Sequence, residues 1–506
     1  MIRVHSGNLF NFIRLAAVGG AIALATAACG SDDDGSSPAA GGSSGTGGAG
    51  GSGGMAGSGG AGSVAKLRVV HAAPGAPAVD LYAAGTTTTL AENLAYGSST
   101  PYLELPPGTY KIDVRAAGSP ATDAPVYTTP DVTVAADKQY TAIAAGDIGS
   151  TSADDQFRVI PLEEDFGTAG SGTARVRVVH AGFDAPTVGI DVGNDDPSAP
   201  EVAALDRFAD TGAAGVELPA GAALQVGVVA AGASVTAFTT PTLPDGADLF
   251  VVATGELGKL SREDTGFALL AVLPDSSTAW IRQNPRVFAL HASPDAGPVD
   301  IYAGDQELVD NASFGDMAEA RVPPGSYTLD FFPGQAGATP KPSGAPAATA
   351  TTPALEAGKD YLAIAAGELT QSPSTFQLIA LEEGFALDDT SNSRVRVVHA
   401  SGNAPAVDVG TVSTAGTLDT PALLSNVKFG DASPAEGLSI PPGSLTIGAA
   451  ATGTTTTAAE FDVTTIAGLR AFAVAAGDLG GTSNPFQLLI VNTTASQWAV
   501  VPIAAK

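Results

Sequence analysis

The heptapeptide RVRVVHA occupies residues 175–181 and returns letter for letter at residues 394–400. Close variants, LRVVHA at 67–72 and RVFALHA at 286–292, stand in the other two quarters of the chain. Side chains alternate along a β-strand, so Val176, Val178 and His180 share one face while Arg175, Arg177 and Val179 share the other. Four of the chain's five histidines, His71, His180, His291 and His399, end this strand once per quarter. A fixed period of about 110 residues marks repeated domains.

Other landmarks keep step with the histidines. A strand-ending turn reads LPPGTYKIDV around Gly108, LPAGAALQVGV around Gly221, VPPGSYTLDF around Gly325 and IPPGSLTIGA around Gly443. A later strand reads YTAIAAGD to Asp147, LFVVATGE to Glu256, YLAIAAGE to Glu368 and AFAVAAGD to Asp478. The order is ABAB. VDLY and VDIY occur only in the first and third units, which also hold all nine tyrosines. The two tryptophans, Trp280 and Trp498, end the second and fourth. This pattern implies duplication of a two-domain module in which A and B pack together, the stretch SSTAWIRQNP ending at Pro285 joining the two copies.

Abundant glycine (62) and proline (35), sparse charge at 15% and 44% hydrophobic residues favour short strands and turns over helices. In the first unit, strands are expected at 67–72, 78–84, 101–105, 109–116, 126–134, 139–147 and 156–163. The expected fold class is all-β: four tandem immunoglobulin-like, Greek-key β-sandwich domains at 67–168, 173–282, 284–388 and 393–506, following a disordered tether. A formal charge of -29 would repel phosphate backbones, so no nucleic-acid partner is expected.

The N-terminus has its own organisation. Arg3 and Arg14 flank a short basic region, the apolar run LAAVGGAIALATAA follows, and the chain's single cysteine, Cys29, comes next. This describes a signal peptide over residues 1–28, too short to span a bilayer. Small residues directly before a lone cysteine resemble the bacterial lipobox, although Thr26 stands where leucine is usual. The resemblance implies lipidation of Cys29. Residues 29–66 are rich in glycine and serine and form the tether, with a random-coil reach of roughly 35 Å. The expected location is outside the cytoplasm, lipid-anchored to a bacterial cell envelope at the outer membrane or cell surface rather than the inner membrane. The membrane is therefore one expected partner, and an envelope polysaccharide or protein is the other.

The start R-V-x-x-H-A-x-x-x-A-P-x-V-D, the P-P-G-x-Y turn and the A-A-G-[DE] strand end together resemble domain of unknown function 4397, found in tandem in bacterial surface and secreted proteins. The resemblance covers nearly all of residues 64–503, and it is clearest in the A units. The second unit departs from it, with Gly189 where the others have Asp80, Asp300 and Asp408. The family implies β-sandwiches outside the cytoplasm and carries no established chemistry. The PPG turns are also similar to those of carboxypeptidase-regulatory-like and collagen-adhesin B-type sandwiches, a likeness of fold alone.

Each recurring histidine stands on the apolar side of its strand, just before a turn, where an imidazole hydrogen-bonds the turn backbone. His71, His180, His291 and His399 are thus expected to be structural. One histidine per domain, with no second histidine or cysteine beside it, does not make a metal site, and no nucleophile recurs near it. Apparent G-x-S-x-G strings at 41–45 and 50–54 fall in low-complexity sequence. No catalytic residue, metal or cofactor is assigned. Asp147, Glu256, Glu368 and Asp478 offer oxygens of the kind calcium takes, but no D-x-D-x-D-G loop supports a site.

Asp80 with Tyr82, and Asp300 with Tyr302, fall on the strand face opposite Val79 and Leu81, or Val299 and Ile301. An acid beside an aromatic on an outer face could grip a sugar or a basic peptide. Two functional readings result. The first is a non-catalytic, lipid-anchored array with a structural, adhesive or matrix-organising role; the second is a carbohydrate- or protein-binding module with its sites on domains 1 and 3.

Overall fold

A computed structural model describes residues 63–506, apart from 338 and 339. The expected signal peptide, Cys29 and nearly all of the expected tether lie outside the described residues. Among the described residues every regular element is a β-strand. The strands form four successive β-sandwiches.

The first sandwich shows the plan. One sheet runs Leu103–Leu105, Ala65–His71, Gln139–Ala145, Arg158–Glu163; the facing sheet runs Thr89–Leu94, Val79–Ala83, Ile112–Ala116, Tyr127–Thr128. The histidine strand is internal to its sheet. It pairs in parallel with the AAG strand, Lys66 opposite Gln139 through His71 opposite Ala144. A parallel pair needs a long crossover, and the whole second sheet is built within it. The same pairing recurs from Arg175 opposite Asp248, Arg286 opposite Asp360, and Arg394 opposite Arg470.

The described strands depart from the expected ones at three places. The segment 109–116 is divided between Gly108–Tyr110 and Ile112–Ala116, and 126–134 between Tyr127–Thr128 and Val132–Val134, with Pro130 in the break. Gly108–Tyr110 and Val132–Val134 pair with each other in a small separate sheet. Thr89–Leu94 forms an edge strand that the sequence reading passed over. Its register shifts twice against Val79–Ala83, so its apolar residues do not alternate.

Both faces of the first unit's histidine strand are buried. Leu67 and Val69 join Val79, Leu81 and Val114 in the first sandwich's own core. On the opposite face, Val70 and Ala72 meet Val179, Ala181, Phe250 and Val252 of the second unit. In the second half of the chain, Phe288, Leu290 and Ala292 of the third unit pack in the same way on Val398, Ala400, Phe472 and Val474 of the fourth. The A and B units therefore pair sheet to sheet. The B sheets carry a fifth strand, Thr278–Ile281 or Ala499–Ala504. Trp280 lies in the first of these and Trp498 directly before the second, and both rings pack on the paired core.

Arginines of the histidine strands are interface residues. Arg68 is 1% exposed: its Nε donates to Thr141 (2.8 Å), one Nη donates to the Leu273 carbonyl of the second unit (2.5 Å), and its guanidinium lies 4.9 Å from the Tyr102 ring. Arg177 donates back across the same interface to the Glu163 carbonyl (2.8 Å). In the second pair, Arg286 reaches the Ser496 carbonyl (2.7 Å) and Arg396 the Glu382 carbonyl (3.0 Å).

Candidate functional site

Each histidine strand ends where the chain turns toward the facing sheet, and the imidazole closes that turn. His71 Nε2 lies 3.1 Å from the Pro77 carbonyl, His180 Nε2 2.9 Å from Pro186, His291 Nε2 3.0 Å from Gly297 and His399 Nε2 3.1 Å from Pro405. A carbonyl can only accept, so Nε2 carries the proton and Nδ1 keeps a lone pair. That lone pair accepts from the Ala73 amide (3.4 Å) and the Ser293 amide (3.3 Å) in the A units. In the B units Nδ1 of His180 and His399 is buried without a hydrogen-bond partner. Burial lowers the pKa of all four rings, while the carbonyl bond pulls the other way. The rings are neutral clamps at pH 7.

The sequence reading missed a second clamp, four residues past the histidine in three units. Asp184 accepts from the Leu257 amide (2.9 Å), Asp295 from the Leu369 and Thr370 amides (2.8 and 2.7 Å), and Asn403 from the Leu479 amide (3.0 Å). Each ties the histidine turn to the loop after the AAG strand. The recurrence of Asp or Asn at that offset was the available signal; the first unit has Gly75 there. The glycine of A-A-G-[DE] also has a steric reason. At Gly146, φ is +90° and a β-carbon would fall 2.5 Å from the Gln156 carbonyl oxygen; at Gly367, φ is +84° and the Thr375 carbonyl would be 2.4 Å away.

Of the acids after that glycine, Asp147 holds its own loop and Asp478 meets the histidine turn. Asp147 accepts from the Gly149 amide (2.8 Å), and Asp478 from the Asn403 side chain (2.5 Å). Glu368 is buried, and burial raises its pKa first, with Asp295 and Asp478 adding to the rise. Among the described residues, the carboxylates that come together with cation-binding spacing are instead Asp300, Glu307 and Asp310. Each of these has a protein partner: Asp300 takes the Asn311 and Gln335 amides, Glu307 takes the Tyr302 hydroxyl, and Asp310 takes the Gly337 amide.

Asp80, Tyr82, Asp300 and Tyr302 do not form an outer binding face. They are 5%, 6%, 0% and 0% exposed. The alternation was read correctly, but neighbouring loops close over that face. Asp80 accepts from the Asn93 and Gly118 amides (2.7 and 2.9 Å), Asp300 from those of Asn311 and Gln335 (2.8 and 3.1 Å), and Asp408 from those of Asn426 and Gly453 (2.8 and 3.0 Å). In all three the first donor is an asparagine at positive φ, 52° to 54°. Asp80 and its counterparts thus stabilise a left-handed kink in the adjacent edge strand. Tyr82 lies under the Arg115 guanidinium at 4.8 Å, and Tyr302 donates to Glu307 at 2.9 Å. In the second unit a β-carbon at Gly189 would meet Pro200 and the Val202 carbonyl at 3.0 and 3.1 Å.

Two small internal spaces lie in the A units. Cavities of about 20 Å³ beside His71 and about 30 Å³ beside His291 lie between the sheets of the A units, lined mainly by valine, leucine, isoleucine and alanine. They are of the size of a water molecule.

The fold and the histidine turn together define a tandem β-sandwich protein whose recurring polar residues brace its own backbone. The chain belongs to the family described as Domain of unknown function (DUF4397), whose model matches residues 65–191 and 285–410. Each match spans an A unit and the first strands of the B unit after it. No curated protein matches the chain. Among solved structures, "The Bacillus anthracis TIE protein" aligns at 11% identity over 82% of this chain and 68% of that one, with a TM-score of 0.13.

Proposed function

We propose that this chain is a lipid-anchored cell-envelope protein whose four sandwiches form a non-catalytic structural or adhesive array. The observation that carries this reading is that the recurring polar side chains are engaged in bracing turns and kinks. The four histidines hold carbonyls, and Asp80, Asp300 and Asp408 hold amides. Support for anchoring comes from the lipobox-like sequence at Cys29 and the glycine-rich stretch behind it. Repetition suits avidity, since weak sites on one chain gain from effective concentration. Adhesion would use surfaces other than the buried Asp80–Tyr82 and Asp300–Tyr302 pairs.

The test has two parts. Radiolabelled palmitate should enter the full chain in its own host and fail to enter Cys29→Ala; equal labelling of both overturns the anchor. Residues 63–506 should then be cosedimented with purified cell-wall, outer-membrane and exopolysaccharide fractions while released sugars and peptides are monitored. Saturable pelleting without product supports an adhesive array, no pelleting with any fraction supports a spacer, and released product overturns the non-catalytic reading.

A further inference from the structure

We infer that Arg262 and Glu383 form a clasp that locks the first pair of sandwiches to the second, so that the four units move as one rigid body. Arg262 lies in the second unit, between the strands Asp248–Thr254 and Ala268–Val272. Its Nε donates to Glu383 Oε2 of the third unit (2.9 Å) and an Nη to the Phe385 carbonyl (2.7 Å). Arg470 of the fourth unit approaches the other carboxylate oxygen, Nε to Oε1, at 3.4 Å. Glu383 is 2% exposed, so one buried carboxylate joins three units. A backbone contact completes the joint: the Gly358 amide of the third unit donates to the Gln283 carbonyl (2.7 Å). Gly358 is required for this approach, since its φ is +82° and a β-carbon would lie 3.1 Å from that of Arg282.

The duplicated module supplies an internal comparison. Glu164 holds the place of Glu383 in the first unit, within EEDF where the third unit has EEGF. No described sandwich precedes that unit, and Glu164 is satisfied locally, by the Tyr102 hydroxyl (2.8 Å), the Thr141 hydroxyl (2.5 Å) and Arg68 (3.5 Å). Where the fourth unit opens its AAG strand with Arg470, the second opens with Asp248. The same repeat position has therefore been re-equipped at the one place where two pairs meet. A carboxylate buried this deeply is tolerated when it is paired, and removing one partner leaves an uncompensated charge that favours separation.

The joint can be tested in the full chain carrying Cys29→Ser with Thr133→Cys and Ser444→Cys, both exposed and in different pairs. Spin labels there report the distance between the pairs by pulsed electron resonance. The expected result is one narrow distance distribution in this parent chain, broadened in Arg262→Ala and in Glu383→Gln, with tryptophan emission unchanged because Trp280 and Trp498 report the separate cores within each pair. Arg262→Lys, which keeps the charge, should recover part of the narrowing. A broad distribution in the parent, or Arg262→Ala and Glu383→Gln distributions that match the parent, would overturn the clasp.

Discussion

Trp498 stacks on Phe288 with ring centroids 4.0 Å apart and planes 9° from parallel, and the two residues belong to different sandwiches. Trp498 comes just before the final strand of the fourth unit, and Phe288 lies in the histidine strand of the third. Trp498 is 5% exposed, so the ring seals the interface between the units. Replacing a buried tryptophan by alanine costs about 3–5 kcal/mol. Trp498→Ala should lose that much in denaturant unfolding; a loss within about 0.5 kcal/mol, the range of surface substitutions, would show that the stack contributes little to pairing.

The first pair is likewise sealed by a tryptophan of its B unit. Trp280 tilts onto Tyr96 at 5.2 Å, and at Gly97, where φ is +80°, a β-carbon would fall 2.5 Å from the Trp280 ring. Gly97→Ala should therefore push the ring off the interface and destabilise the first pair by about 1–3 kcal/mol, the usual penalty of overpacking. Gly118→Ala is the control for glycine strain, because its φ is +76° with nothing within 4 Å. Calorimetry that finds equal effects at both positions would assign the loss to backbone strain alone.

The histidines give stability a pH dependence of definite sign. The buried rings have pKa values below the ordinary 6.5, so the folded chain binds fewer protons than the unfolded chain once the pH drops below that value. Stability from this source is complete above pH 6.5 and is lost as pH falls toward the depressed native values, by at most ~1.4 kcal/mol per pH unit for each ring. Melting curves at pH 8 and 5.5 should show a smaller acid shift in His180→Gln with His399→Gln than in the parent. An identical shift would mean that these rings are protonated in the folded state.

Asp300→Ala should behave as a stability mutation. It strands the Asn311 and Gln335 amides, and an unsatisfied buried donor costs about 1–3 kcal/mol. Binding to any envelope fraction should be unchanged at a temperature where the variant is folded. Selective loss of binding with full stability would restore a recognition role to this residue.

How much of this was legible depends on whether the information is local. Identical letters at residues 175–181 and 394–400 expose the repeat directly, and the alternation around His180 places its ring on the core side. The parallel partner of the histidine strand lies some 70 residues away, and nothing local to either strand names the other. The double valine in LRVVHA was a hint that both faces are buried, but Arg68 and Arg177 masked it, because their charges are compensated by groups of another unit. Asp80 and Tyr82 were placed on the correct face. Their exposure depends on Asn93, Gly118 and Arg115, which approach through tertiary structure.

The pairing of A with B is the centre of this account, and comparing the stability of residues 63–168 with that of residues 63–282 tests it most directly. Apart from its partner, the first unit would expose Val70, Ala72, Ile143 and Ala145, which the second unit covers. The longer piece is predicted to unfold in one cooperative calorimetric transition, at a temperature well above that of the shorter. Equal melting temperatures, or two separate transitions in the longer piece, would show that the sandwiches fold as independent beads and that the shared core does not couple them.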